Sequence, residues 1–490
     1  MKQNFNHLLR GLMFLFILGF TNQAYSQNPV KKKPNIVFFL VDDLGYADVQ
    51  AFGSSFYETP NIDKLAQEGM KFTDAYAACP VCSPTRASIM TGKYPATMHT
   101  TDWFGAPQPE EEAKNKNYTR LLLPASYIEN LPLKEETIAE ALKAGGYKTF
   151  IAGKWHLGGT PDFWPENQGF DVNKGGFSAG NPGKGGYFSP YNNNPRLDAG
   201  PAGEYLPVRL AKETMKFIED NKDQPFFAYF SFYNVHGPDD TTPELKAKYT
   251  AKREKLGLKD EFGNEDGKKV RVVQSDPTYA GMVQAVDDAV GKVMDKLKEL
   301  KLDDNTIVVF FSDNGGLAIN EGSPTSNLPL RGGKGWMYEG GIREPLIIRY
   351  PGVIKANTVN ETPVISNDFY PTFLQMAGLS ALPKQNTGGL SILPLLKQKK
   401  IKNRCLFWHY PHYGNQGGSP ASAVRNGDWK LIHWYENDRF ELFNLRNDVG
   451  EHNNLLASES KIAKKLKKEL DEWLKQQDAY FPTKNPNAKM

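Results

Sequence analysis

Four short apolar runs constrain this chain more than anything else in it. They are Ile36-Val-Phe-Phe-Leu-Val41, Lys148-Thr-Phe-Ile151, Phe226-Phe-Ala-Tyr-Phe-Ser-Phe232 and Thr306-Ile-Val-Val-Phe-Phe311. Each is short, β-branched or aromatic, and reads as a buried strand. Helical patterns lie between them, such as Asn61 to Glu68 ending at Gly69, and Tyr279 to Leu300. Strands alternating with helices predict a large α/β sheet, mixed but mostly parallel, flanked by helices.

The residues just past each strand carry the chemistry. The first run ends in Asp42-Asp43, the second leads to Lys154-Trp155-His156, the third to Asn234-Val235-His236, and the fourth to Ser312-Asp313-Asn314. In open α/β sheets, ligands bind outside the carboxyl ends of the strands. One Asp or His after a strand is usually a cap or a solvated loop residue. Four strand ends carrying acids, lysine and histidine predict one shared site. Asp42, Asp43, Asp313 and Asn314 offer only oxygen donors, a set suited to a hard divalent cation such as Ca²⁺. A zinc site would call for histidine among them.

The rest of the chain frames this unit. Residues 1–26 read as a secretory signal: Lys2 and Arg10, an apolar run from Gly11 to Phe20, and small residues before Gln27. The run is too short to span a bilayer, so the expectation is an exported, periplasmic protein with no membrane anchor. Net charge is +3, and the leader's two cations leave +1 on the mature chain, which gives no basic field for nucleic acid. Two segments, Gly175 to Gly203 and Asp239 to Lys269, read as surface loops able to wall a cleft. The catalytic domain is expected over residues 27–395 and a smaller α+β domain over 396–490. The latter rests on strand-like runs at Cys405–Trp408, Trp429–His433 and Phe440–Phe443, and on a helix with Ile462, Leu466, Leu470, Trp473 and Leu474 along one face.

Cys79, Cys82 and Cys405 are the only cysteines, too few for a disulfide framework. Cys79-Pro-Val-Cys82 has the spacing of a redox pair but no thioredoxin-like surroundings, and whether Cys79 and Cys405 pair is open at this level. Cys82-Ser-Pro-Thr-Arg86, with Thr91-Gly92 downstream, resembles the signature of the type I, formylglycine-dependent sulfatases of the alkaline phosphatase superfamily. The resemblance extends to Asp42-Asp43-Leu-Gly45, Gly153-Lys-Trp-His156 and Ser312-Asp-Asn-Gly-Gly316, and spans about Pro34 to Phe481.

That resemblance implies a specific chemistry. Cys82 becomes Cα-formylglycine through a formylglycine-generating or sulfatase-maturing enzyme, and its hydrated aldehyde is the nucleophile. One Ca²⁺ is held by Asp42, Asp43, Asp313 and Asn314 and also contacts position 82. Arg86 and Lys154 hold the diol, and His156 helps deprotonate it. His236 and Lys334, the latter within Arg331-Gly-Gly-Lys-Gly-Trp336, contact sulfate, with His236 as the acid for the leaving alcohol. Other readings are a phosphatase or phosphodiesterase of the same superfamily, and a non-catalytic binder of sulfated glycans. The chain also looks like Bacteroidetes sulfatases acting on algal polysaccharides (ulvan, carrageenan) or host glycosaminoglycans, so a sulfated oligosaccharide is the expected substrate. Finally, the aromatic segment Trp408 to Gly414 and the glycine-rich stretch after it have two readings: Trp408 and Tyr410 as core of the small domain with His412 on a surface loop, or a loop reaching the cleft with His412 and Arg425 binding sugar hydroxyls or a neighbouring carboxylate.

Overall fold

In the computed structural model, which describes residues 32–489, the four runs are neighbours at the centre of a nine-stranded sheet. The strands of that sheet are β1 (Asn35–Val41), β2 (Met70–Tyr76), β3 (Lys148–Gly153), β4 (Val172–Lys174), β5 (Phe226–Ser231), β6 (Thr306–Ser312), β7 (Arg343–Arg349), β8 (Thr358–Asn360) and β9 (Val364–Ile365). Their order is β8-β2-β7-β6-β1-β5-β3-β4, with β9 also beside β2. The central block β6-β1-β5-β3 is parallel throughout, whereas β7 runs antiparallel to both β6 and β2. The predicted secretory signal lies outside the described residues. Among those residues, no helix is long and apolar enough to cross a membrane.

Strand alternation explains the layering. Val37, Phe39 and Val41 face one core with helices Pro60–Glu68, Leu206–Asp220 and Pro277–Glu299, while Ile36, Phe38 and Leu40 face the other with helices Cys82–Thr91, Ile138–Ala144 and Phe369–Met376. A strand buried on both faces reads as a continuous apolar run, which is why these four were visible in the sequence. Their carboxyl ends are level: Val41 pairs with Ser312, Leu40 with Ser231, and Gly153 with Ser231. That register delivers Asp42, Asp313 and Lys154 to one place.

The C-terminal part adds a four-stranded antiparallel meander of Cys405–Tyr410, Ala421–Asn426, Trp429–Trp434 and Arg439–Asn444. Helix Ser460–Gln476 packs on it through Leu466, Leu470, Trp473 and Leu474. Asp239 to Lys269 departs from the loop expectation. It forms helix Pro243–Lys255, capped by Thr242, and one strand of a hairpin, Phe262–Glu265 with Lys268–Arg271. Its charge is a solvent face, and fully buried Tyr249 anchors it against Phe56.

Candidate active site

Helix Cys82–Thr91 begins with Cys82, and all ten of its residues are buried. Its first turn aims unpaired backbone N–H groups and the positive end of the helix dipole at whatever sits over Cys82. Arg86, four residues on, shares that face. Its guanidinium donates to Asp313 Oδ2 at 2.7 Å through Nε and to Ser231 Oγ at 2.6 Å. It also lies 3.5 Å from Asp42 Oδ1.

The strand ends supply the rest. Lys154 Nζ donates to both oxygens of Asp42 at 2.9 and 2.8 Å. Lys334 Nζ donates to Asp43 Oδ2 at 2.8 Å. Asn314 Nδ2 donates to Asp43 Oδ1 at 2.8 Å, and His236 Nε2 lies 3.7 Å from Asp43 Oδ2. The turn into Lys154 depends on Gly153, whose φ is +96° and where a Cβ would meet the Ser231 carbonyl at 1.9 Å. His156 Nδ1 lies 3.4 Å from Cys82 Sγ and 3.2 Å from Ser83 Oγ, and Nε2 lies 3.2 Å from the Phe104 carbonyl.

Burial and charge set the protonation states. Burial pushes the Cys82 thiol up, and the nearby Lys154 and Lys334 offset this only in part. An unmodified Cys82 is therefore a protonated, weak nucleophile. Burial likewise opposes ionisation of Asp43, but Lys334, joined by Lys154, outweighs it and holds that carboxyl well below the usual range. Asp42 is pushed up by burial, against the pull of Lys154. His156 is held neutral by burial and then by Lys154 and Arg86. His236 is lowered to about 3 by burial, reinforced by Lys334.

Carboxylate oxygens of Asp42, Asp43 and Asp313 lie within 4.8 Å of one another, close enough to share a cation. Asn314 Oδ1 is buried beside them without a hydrogen-bond partner. Such an orphan costs stability unless something binds it, and a hard metal ion is the ligand this donor set fits.

A cavity of about 500 Å³ opens above these groups. Cys82, His156, His236 and Lys334 line its floor; Ser178, Asn181, Asn415 and Gln416 wall it from two segments the sequence pointed to, and Trp103, Phe104 and Glu321 from places it did not. The glycine-rich 175–203 segment does wall the cleft: at Gly180 a Cβ would sit 2.6 Å from the His156 ring. The loop after Gly414 also arrives, through Asn415 and Gln416.

His412 and Arg425 correct the expectation. Both are buried and neither lines the cavity. His412 Nε2 bonds Thr101 Oγ1 at 2.9 Å and Nδ1 lies 3.4 Å from Asp102. Arg425 donates to Asp74 Oδ1 at 2.7 Å, to the Gly427 carbonyl at 2.8 Å and to the Tyr76 hydroxyl. The sequence placed both near the glycine-rich turn. It did not show that Arg425 lies on an inner strand of the meander, pointing at the large sheet. The three cysteines are unpaired, with Cys79 buried.

Cys82, buried at a helix start and ringed by three acids and three cations above a parallel sheet, sits in a charge arrangement suited to an anionic ligand. The sulfatase family pattern matches residues 34–379, and the pattern described as N-sulphoglucosamine sulphohydrolase, C-terminal, matches 333–477. A sulfatase of Formosa agariphila is 33% identical over 97% of this chain and 94% of its own. The N-acetylgalactosamine-6-sulfatase of Homo sapiens is 31% identical over 84% of this chain and 73% of its own. The crystal structure of Ps i-CgsB superposes with a TM-score of 0.74 at 30% identity, covering 92% of this chain and 95% of that one. The chain belongs to the sulfatase family and is a sulfuric ester hydrolase.

Proposed function

We propose that this chain is an exported, periplasmic sulfatase that removes sulfate from carbohydrate oligosaccharides, using formylglycine at Cys82 and one Ca²⁺ at Asp42, Asp43, Asp313 and Asn314. The observation that carries the reading is position 82 itself, at a helix start, facing the cavity and 3.4 Å from His156. A buried, protonated thiol is of little use there, and oxidation to an aldehyde that hydrates gives position 82 the hydroxyl a sulfate-transfer step needs.

Charge arithmetic supports the metal. Asp42, Asp43 and Asp313 are balanced by Arg86, Lys154 and Lys334 within hydrogen-bond reach. A divalent cation then leaves the site with excess positive charge, which suits an anionic sulfate ester. The ion supplies polarisation of the sulfate and of the hydroxyl at position 82.

The protein's own groups do the rest. Arg86 and Lys154 fix the carboxylates and the hydrated side chain at position 82. His156, neutral and beside that position, takes a proton from it when the bound sulfate is released. Lys334 and His236 face the transferring group from the cavity side. His236 is neutral in the free site, so its role as proton donor to the leaving alcohol requires the negative charge of the arriving sulfate to draw a proton onto it.

Two relatives support a carbohydrate substrate: the human one is named for N-acetylgalactosamine 6-sulfate, and Ps i-CgsB is known in complex with a neocarrahexaose. The cavity fits, with Trp103 offering a stacking face and Asn181, Glu321 and Asn415 offering hydrogen bonds to hydroxyls. The test is sulfate release from a panel of defined carrageenan, ulvan and glycosaminoglycan oligosaccharides, with Cys82→Ala as control. Release from at least one class, absent in the control, is expected. Rapid turnover of aryl sulfates with none of the sugars overturns the substrate; cleavage of phosphodiesters in preference to sulfate esters overturns the reaction.

A further inference from the structure

A second cleft, of about 410 Å³, opens on the other side of the loop that walls the catalytic cavity. The dividing wall is Asn415 to Ser419 together with Trp336: Asn415 and Gln416 face the catalytic cavity, while Gly417, Ser419 and Trp336 face the second cleft. The wall is fixed, because the Trp336 indole donates to the Gln416 carbonyl at 2.9 Å and Gly414 N–H bonds the Gly418 carbonyl at 2.9 Å.

The chemistry of this cleft is that of a site for an anion on a polar, flat ligand. Arg120, Lys268 and Arg439 line it, together with Asp266 and Glu436. Three cations against two acids leave the cleft one positive charge in excess. Glu436 accepts from the Tyr413 hydroxyl at 2.7 Å and from Ser419 Oγ at 3.3 Å, and Asp266 lies 3.8 Å from Arg439. Arg439 also pairs with Glu441 at 3.1 Å. Among the described residues, neither the Arg120 guanidinium nor Lys268 Nζ has a carboxylate within ion-pair distance. Arg120 is instead held 4.9 Å over the Tyr413 ring, and the Lys268 stem lies against Gly417. Both cations are thus positioned by packing and left free in charge. Trp434 forms part of the floor, with Arg439 5.6 Å above its ring. The volume falls within the range of about 300–1,000 Å³ typical of ligand sites.

We propose that this cleft is a second subsite, in which Arg120 and Lys268 hold an anionic group on a sugar beyond the one being desulfated. The inference rests on the carbohydrate reading above and deepens it: the enzyme prefers multiply charged oligosaccharides that cross the Asn415–Ser419 wall over short ones that end at it. Neither Arg120 nor Lys268 touches the catalytic cavity, so hydrolysis of a small ester is independent of them.

The experiment compares wild type with Arg120→Ala, Lys268→Ala and the double variant on 4-nitrophenyl sulfate and on di- and hexasaccharides of carrageenan and chondroitin sulfate. The expected result is a KM for hexasaccharide raised about tenfold per cation removed, with kcat and all constants for the aryl sulfate and disaccharides unchanged. Dependence on carrageenan identifies the anion as sulfate; dependence confined to chondroitin identifies a carboxylate. Arg120→Lys should restore part of the lost affinity. Equal losses on short and long substrates, or no loss on the hexasaccharides, overturn the subsite while leaving the substrate reading intact. A wild type that cleaves the aryl sulfate but no oligosaccharide overturns both.

Discussion

Cys82 Sγ lies 3.4 Å from His156 Nδ1, and that ring is boxed in by Ser83, by the Phe104 carbonyl and by the close approach of Gly180. These contacts hold the ring against position 82, where the proposed chemistry calls for a group that handles protons. His156→Ala is expected to lower kcat by about 10²- to 10⁴-fold, the usual range for a lost general base. KM should change little, because substrate recognition lies with the walls. Steady-state kinetics on an aryl sulfate checks this, and a variant with wild-type kcat contradicts it.

Asp313 tests the metal site. Its carboxylate is one of the proposed metal ligands and pairs with Arg86, so removing the whole carboxylate also strands a buried guanidinium, at a cost of about 3–5 kcal/mol. Asp313→Asn keeps the volume and isolates the charge. The expected outcome is loss of stoichiometric calcium by elemental analysis and loss of turnover, restored in part by excess Ca²⁺. Full metal content with undiminished activity, or zinc in place of calcium in the wild type, sinks the assignment.

Arg425 is expected to act on stability alone. Its substitution by Ala takes its cation from the Tyr76 hydroxyl and leaves Asp74 with Arg343 alone, 3.1 Å from its other oxygen. A loss of about 1–3 kcal/mol in urea unfolding is expected, the scale of lost buried hydrogen bonds with Asp74 still paired to Arg343, with kcat/KM of the folded fraction unchanged on sugar and aryl substrates alike. Selective damage to oligosaccharide turnover would return Arg425 to the cleft.

Asp102 gives a pH prediction. Burial raises its carboxyl to about 7, against hydrogen bonds from Trp103 N–H and Tyr410. The folded state therefore holds this proton more tightly than the unfolded chain. The contribution is fully present below about pH 4, the ordinary carboxyl value, and is lost as pH rises toward 7. Melting curves from pH 4 to 8 should show Asp102→Asn falling less steeply across that window than the wild type. Parallel slopes contradict it.

Legibility tracked burial. The four central strands and the residues after them were readable because strands buried on both faces are continuously apolar. Strand β2, Met70-Lys-Phe-Thr-Asp-Ala-Tyr76, escaped because polar residues interrupt it. Strand β7, Arg343-Glu-Pro-Leu-Ile-Ile-Arg349, escaped because Pro345 sits at a register shift against β2, where an irregular pairing tolerates it. The cavity floor came from motifs next to strands, but its walls come from Trp103, Ser178, Asn181, Glu321, Asn415 and Gln416. Composition marked the glycine-rich segments that carry Ser178, Asn181, Asn415 and Gln416, but Trp103 and Glu321 stand in irregular segments that no periodicity marks. For His412 and Arg425, composition suggested sugar contacts, but the side chains turn inward to Asp102 and Asp74.

The chemical state of residue 82 is the most direct test of the sulfatase chemistry. Tryptic mass spectrometry of protein produced alongside a sulfatase-maturing enzyme should show the peptide containing Cys82 as the aldehyde, reactive toward hydrazide reagents, in proportion to specific activity. A fully active preparation in which that peptide carries an unmodified thiol would contradict it.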